Sequence, residues 1–145
     1  MLDSLQQASL RTCTIDDIPW ILSLAHRRYR PFDPGRALTW LANAVTNPTM
    51  LAIREEHAFC ISSIGGYFWF PKEPEAYVVL LCAEANKHWE AIKLLRHSVE
   101  WARGKGCVRW WLTSDTEYDF RPLAKRLGCK TLDRYLLDLT DGPEL

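Results

Sequence analysis

Ala76-Tyr77-Val78-Val79-Leu80-Leu81-Cys82-Ala83, followed after four residues by a segment that runs from His88 to Arg103, decides the fold. The first stretch is near-continuously apolar and short, the pattern of a central strand covered on both faces. In the second, Ile92, Leu95, Val99 and Ala102 recur on one stripe, while Lys93, Arg96, His97, Glu100 and Arg103 fill the other side. That spacing predicts an amphipathic helix, and Gly104 supplies its stop. Cys107–Thr113, Cys-Val-Arg-Trp-Trp-Leu-Thr, then reads as a strand. A strand, a helix and a strand in this order imply a right-handed crossover and a locally parallel pair.

Upstream, Met50–Arg54 and Ala58–Ile64 are β-rich runs joined by Glu55-Glu56-His57, a hairpin pattern that implies antiparallel pairing. Gly65-Gly66 marks a bulge or bend before Tyr67-Phe68-Trp69-Phe70, and Pro71-Lys72-Glu73-Pro74 is a turn. Leu10–Thr14 can form a short strand. Thr14-Ile15-Asp16-Asp17 resembles a capping box, with Pro19 in the first helical turn, and opens a helix from about Asp16 to Tyr29. Ile18, Ile21, Leu22 and Ala25 give its apolar face. A second helix follows the break at Arg30–Gly35 and runs to about Val45, with Leu38, Leu41, Ala42 and Val45 on one face. Downstream, a short helix with Pro122 in its first turn ends at Leu127-Gly128, and Tyr135–Leu139 closes the chain as a strand. The expected fold class is α/β: a mixed, mostly antiparallel central sheet with helices on both faces. It forms a single domain over residues 10–140, behind a flexible tail over residues 1–9.

Composition narrows the function classes. Lys plus Arg equals Asp plus Glu, 18 against 18, so the chain lacks the cationic surplus of a general nucleic-acid binder. The start has no basic, then apolar, leader pattern, and no run approaches the ~20 apolar residues of a membrane span. Cys13, Cys60, Cys82, Cys107 and Cys129 are widely spaced, without the clustering that zinc requires. They read as reduced thiols of a cytoplasmic protein. His26, His57 and His97 have no ligand spacing and read as surface residues. Adjacent Trp110 and Trp111 on a strand point to opposite faces and read as packing residues. Arg103, Lys105 and Arg109 read as the cationic end of a helix. Trp69 and Phe70, before the proline turn, are candidates for a substrate wall or a partner surface.

Several motifs resemble the GNAT superfamily of N-acyltransferases. Asp16-Asp17-Ile18-Pro19 is similar to the opening of that family's first helix. Leu94-Leu95 with Glu100–Gly106 and the Val108–Thr113 strand is similar to its cofactor-side helix and the strand after it. Leu123-Ala124-Lys125-Arg126-Leu127-Gly128-Cys129 resembles the end of its last helix. The resemblance covers nearly the whole chain. It implies transfer of an acyl group from acetyl-CoA, or another acyl-CoA, to the amine of a small molecule or protein. By the same resemblance, Leu81, Cys82 and Ala83 would offer backbone hydrogen bonds to pantetheine. Asn86, Lys87, His88, Trp89, Glu90 and Ala91 would hold the diphosphate on a helix N-terminus.

The chain departs from the family pattern at defined places. Where the family's loop has its central glycine stands Trp89, expected to obstruct close approach of backbone to phosphate, with Lys87 and His88 as compensating cations. The family's general-acid tyrosine maps to Ala124, and the asparagine that often follows the penultimate strand falls near Glu117. Glu84 is the candidate general base, its alternative reading being a solvated loop acid. Tyr118 is the candidate substitute proton donor, its alternative being a packed helix start. Such departures resemble degenerate family members encoded by tailed phages, some carried in the virion. They carry the alternative expectation of a binding or structural protein that acts through a protein partner or as a homo-oligomer.

Overall fold

β4, Glu75–Ala83, forms within the apolar run singled out above, and both core clusters of the molecule meet on it. The computed structural model describes residues 9–27, 33–65, 73–112 and 120–130. Around β4 stand β1 (Arg11–Thr12), β2 (Met50–Arg54), β3 (Ala58–Gly65) and β5 (Arg109–Leu112), in the spatial order β1-β2-β3-β4-β5. The first three junctions are antiparallel, and β4 with β5 is parallel. Helices α1 (Ile18–His26) and α2 (Pro34–Ala44) cover one face, and α3 (His88–Gly104) with the short α4 (Arg121–Arg126) covers the other. The expected α/β architecture, a mixed and mostly antiparallel sheet between helices, is what the chain adopts. Tyr67–Phe70, Tyr118 and the strand expected at Tyr135–Leu139 lie outside the described residues.

The register of β4 contains one extra residue. Ile61 pairs with Leu80 and Ser62 pairs with Val78, which leaves Val79 unopposed, 45% exposed, as a bulge. A bulged residue reverses the alternation of side chains beyond it. Val78 and Leu81 therefore share the α3 face although three residues apart, and Leu80 and Cys82 turn to the α1–α2 face. Gly65 pairs directly with Glu75, and Gly66, the other half of the expected bulge or bend, lies outside the described residues.

Three buried polar assemblies hold the layers. Asp17 accepts two hydrogen bonds from the Arg11 guanidinium (2.7 and 2.8 Å), one from Arg54 (2.9 Å) and one from the Thr14 backbone N–H (2.8 Å). Arg54 also lies 3.6 Å over the Trp20 ring, which meets Phe59 edge-on. Glu75 accepts from Arg109, Tyr77 and Trp111, so Arg109 is an ion-pair partner within the sheet and not part of a helix-end cation cluster. On the opposite face Trp110 donates to Ser98 Oγ, which is also joined to Ser62 Oγ at 2.6 Å. The tryptophan pair thus points to opposite faces, as expected. On α2, Leu41 and Ala44 are buried but Leu38 is 50% exposed. Ala42 and Val45 pack against the same core as expected, and Trp40 joins them in the place expected of Leu38.

Two outcomes follow from these contacts. The Arg11 hydrogen bonds hold the Asp17 carboxyl well below the usual carboxylate range. Its stabilisation is complete above the unfolded-state value of about 3.9 and is lost as pH falls below it. Asp17→Asn should cost roughly 2–3 kcal/mol at neutral pH, and the gap from the parent protein should narrow below about pH 4; denaturant titration across pH reads both. Burial pushes the Cys13 and Cys60 thiols up to about 12, whereas Cys107 and Cys129 are partly exposed. A thiol reagent at neutral pH should label Cys107 and Cys129 first, with Cys13 and Cys60 reacting only on unfolding, as read by peptide mass mapping.

Candidate functional site

Beyond the bulge, the end of β4 and the start of α3 bound a cavity of about 690 Å³, within the ~300–1,000 Å³ typical of small-molecule sites. Leu81, Cys82 and Ala83 form its floor, and Glu84, Ala85 and Asn86 its connecting wall. From α3 come His88, Trp89, Ala91 and Ile92. Phe120, Pro122, Leu123 and Arg126 close the far side, brought there by α4, whose first turn accommodates Pro122.

Local backbone chemistry sets the turn into α3. Asn86 has φ 63°, the one positive φ outside glycine among the described residues, and asparagine tolerates that left-handed region better than most residues. Lys87 N–H donates to Glu84 O at 3.2 Å, and Ala91 N–H closes the first helical bond to Lys87 O at 3.3 Å. The helix then begins at His88, the residue the amphipathic pattern gave. The first-turn N–H groups of His88, Trp89 and Glu90 lie before any intrahelical acceptor, so this end of a 17-residue helix carries partial positive charge.

The fold brings together most of the residues singled out in the sequence. Leu81, Cys82, Ala83, Glu84, Asn86, His88, Trp89 and Ala91 line the cavity. Lys87 is the N-cap residue of α3 and does not line it. Glu90 turns away: its Oε1 accepts the His57 backbone N–H at 2.8 Å, and its Oε2 lies 3.1 Å from His57 Nδ1. Tyr118 lies outside the described residues. Trp89 stands at the start of α3 and lines the cavity. The side chain is turned outward, 67% exposed, with the Arg126 guanidinium 4.9 Å over its ring.

Glu84 is neither free nor buried. Its carboxylate lies 3.9 Å from Arg27 and 4.0 Å from His57 Nε2, and its backbone N–H donates to His57 O at 2.8 Å. His57 is therefore not the plain surface residue its isolation in sequence suggested. It stands between two carboxylates, on the β2–β3 turn, and joins that turn to both ends of the β4–α3 connection. Nothing in the spacing of one sequence signals this contact, because His57 and Glu90 are separated by 33 positions.

No protein-family model and no curated protein matches the sequence. Solved structures do match in shape. The predicted acetyltransferase of Clostridium acetobutylicum, solved with acetyl-CoA, superposes with a TM-score of 0.75 over 91% of this chain and 96% of its own, at 17% identity. The aminoglycoside 6'-N-acetyltransferase AAC(6')-IG of Acinetobacter haemolyticus gives 0.74 over 89% and 95%, at 12% identity. A transcriptional regulator from Bacillus halodurans C-125 gives 0.73 over 89% and 97%, at 16% identity. At such identities the likeness speaks for architecture alone: the chain shares the fold of GNAT acetyltransferases.

Proposed function

We propose that the chain is an acyl-CoA-dependent N-acyltransferase, with acetyl-CoA as the simplest donor and a small-molecule or protein amine as the acceptor. One observation carries the reading. An open cavity of about 690 Å³ lies between the end of β4 and the N-terminus of α3, in a fold shared with a protein solved with acetyl-CoA. The backbone of Leu81, Cys82 and Ala83 would run beside pantetheine, and the partial positive charge of the first α3 turn would face the diphosphate. Asn86 and Ala91 shape that approach, Lys87 adds a cationic side chain near it and His88 an imidazole. Glu90 directs its carboxylate to the backbone and ring of His57.

The transfer needs few groups. The acceptor nitrogen attacks the thioester carbonyl carbon, a C–N bond forms, and the C–S bond breaks. The amine loses one proton and the departing thiolate gains one. Glu84, directly or through a water it orders, would take the first, at the cavity wall where Arg27 and His57 steady its carboxylate. Tyr118 is the residue assigned to return a proton to the thiolate, since Ala124, at the family's tyrosine position, has no proton to give. Free thiols at all five cysteines fit a cytoplasmic setting.

Calorimetry with acetyl-CoA tests the binding half: a saturable isotherm is expected, and no heat at millimolar ligand would remove the reading. Glu84→Gln should lower kcat for an accepted amine by about 100-fold or more, with acetyl-CoA affinity nearly unchanged. The alanine at position 124 favours a second reading, a protein that binds acyl-CoA without turnover. Binding with no release of free CoA thiol against a broad panel of amines would select it.

A further inference from the structure

We infer that Trp89 and Arg126 form a seat for the adenine ring of the donor, so that the protein selects donors carrying the adenosine end over donors that stop at phosphopantetheine. The inference rests on the acyl-CoA reading above and adds a selectivity to it. Trp89 replaces the glycine with which the family pattern brings backbone up to phosphate. The structure offers a side-chain device at the same place.

Five large apolar side chains stand exposed among the described residues: Ile15, Leu38, Val79, Trp89 and Val108. Trp89 is the one that lines the cavity, and at 67% it is the most exposed. An indole that served to cover the first turn of α3 would be packed against something. This one meets the Arg126 guanidinium, carried across the cavity mouth by a different helix. Arg126 lines the cavity, and among the described residues no carboxylate is paired with it. Both groups have planar faces suited to a nucleobase, and base-on-aromatic stacking requires no particular hydrogen-bond pattern. Arginine also presents a donor fork that matches a phosphate.

Position argues for the adenosine end in particular. Trp89 is the second residue of α3, beside the N–H groups where the diphosphate would sit. Pantetheine would extend from that point along Leu81–Ala83 into the cavity, which leaves the outer rim for the group on the other side of the diphosphate. In a CoA donor that group is adenosine with its 3'-phosphate. Arg126 and His88 line that rim, Lys87 caps the helix beside it, and the acids Glu84 and Glu90 have Arg27 and His57 as partners.

The test is calorimetric titration of the full chain with CoA, 3'-dephospho-CoA and 4'-phosphopantetheine, repeated on Trp89→Ala, Trp89→Phe and Arg126→Gln, with melting curves for each. The parent protein should bind CoA at least tenfold more tightly than 4'-phosphopantetheine. Trp89→Ala should lose roughly tenfold in CoA affinity and nothing for 4'-phosphopantetheine, while Trp89→Phe, which keeps an aromatic face, retains most of the affinity. Arg126→Gln should weaken CoA more than 3'-dephospho-CoA. Unchanged CoA binding in Trp89→Ala, or equal losses for both ligands, would overturn the inference and leave the acyl-CoA reading standing. No CoA binding by the folded parent protein would overturn that reading and the inference with it.

Discussion

β4 is buried on both faces, and it carries one residue more than its partner strand allows for. Those two constraints place everything else. Burial on both sides requires helices on both sides, which α1 and α2 provide on one face and α3 on the other. The extra residue at Val79 then exchanges the faces of the residues beyond it, so Leu81 stays with α3 while Cys82 joins the α1–α2 layer. Without the bulge, Leu80 and Cys82 would face α3 and the cavity floor would have a different composition. The floor is thus set by a count of residues as much as by their chemistry.

The charged groups around the cavity work as a set. A glutamate in the first helical turn ordinarily complements the helix dipole from close range. Glu90 occupies such a position, yet its carboxylate is drawn to the backbone and ring of His57. Glu84 is similarly flanked by Arg27 and His57. Both of these acids therefore have partners of their own. The same contacts fasten the β2–β3 turn to the helix, with the Lys93–Glu55 pair at 2.7 Å as a second tie one turn further along. Electrostatics and mechanical support come from the same few side chains.

Much of this arrangement was legible in the sequence because its signals are local. The β2 boundaries and the start of α3 at His88 follow from β-rich runs and helical spacing, and with them the place of the cavity. The bulge was not legible: residues 76–83 are so uniformly apolar that no alternation exists for an extra residue to interrupt. On α2 the expected face holds at Leu41, Ala42 and Val45, while the exposure of Leu38 and the packing of Trp40 depend on tertiary contacts that the spacing does not show. The Arg126 guanidinium over Trp89 and the Glu90 carboxylate beside His57 were not legible either. Both are contacts between distant segments, where a single sequence carries no mark of proximity.

The agreement between strand order and chain order has a consequence for how the molecule is made. β2, β3 and β4 pair antiparallel in chain order, so they can associate as the chain leaves the ribosome, whereas β5 must wait for α3 to cross over. A nascent chain that has emerged to Ala83 presents Ile53, Ala58, Cys60, Val78 and Leu81 on a surface that α3 has yet to cover. That interval is when the protein is most exposed to chaperones and to aggregation. The cavity, walled by segments on both sides of the crossover, comes into being only once it has passed.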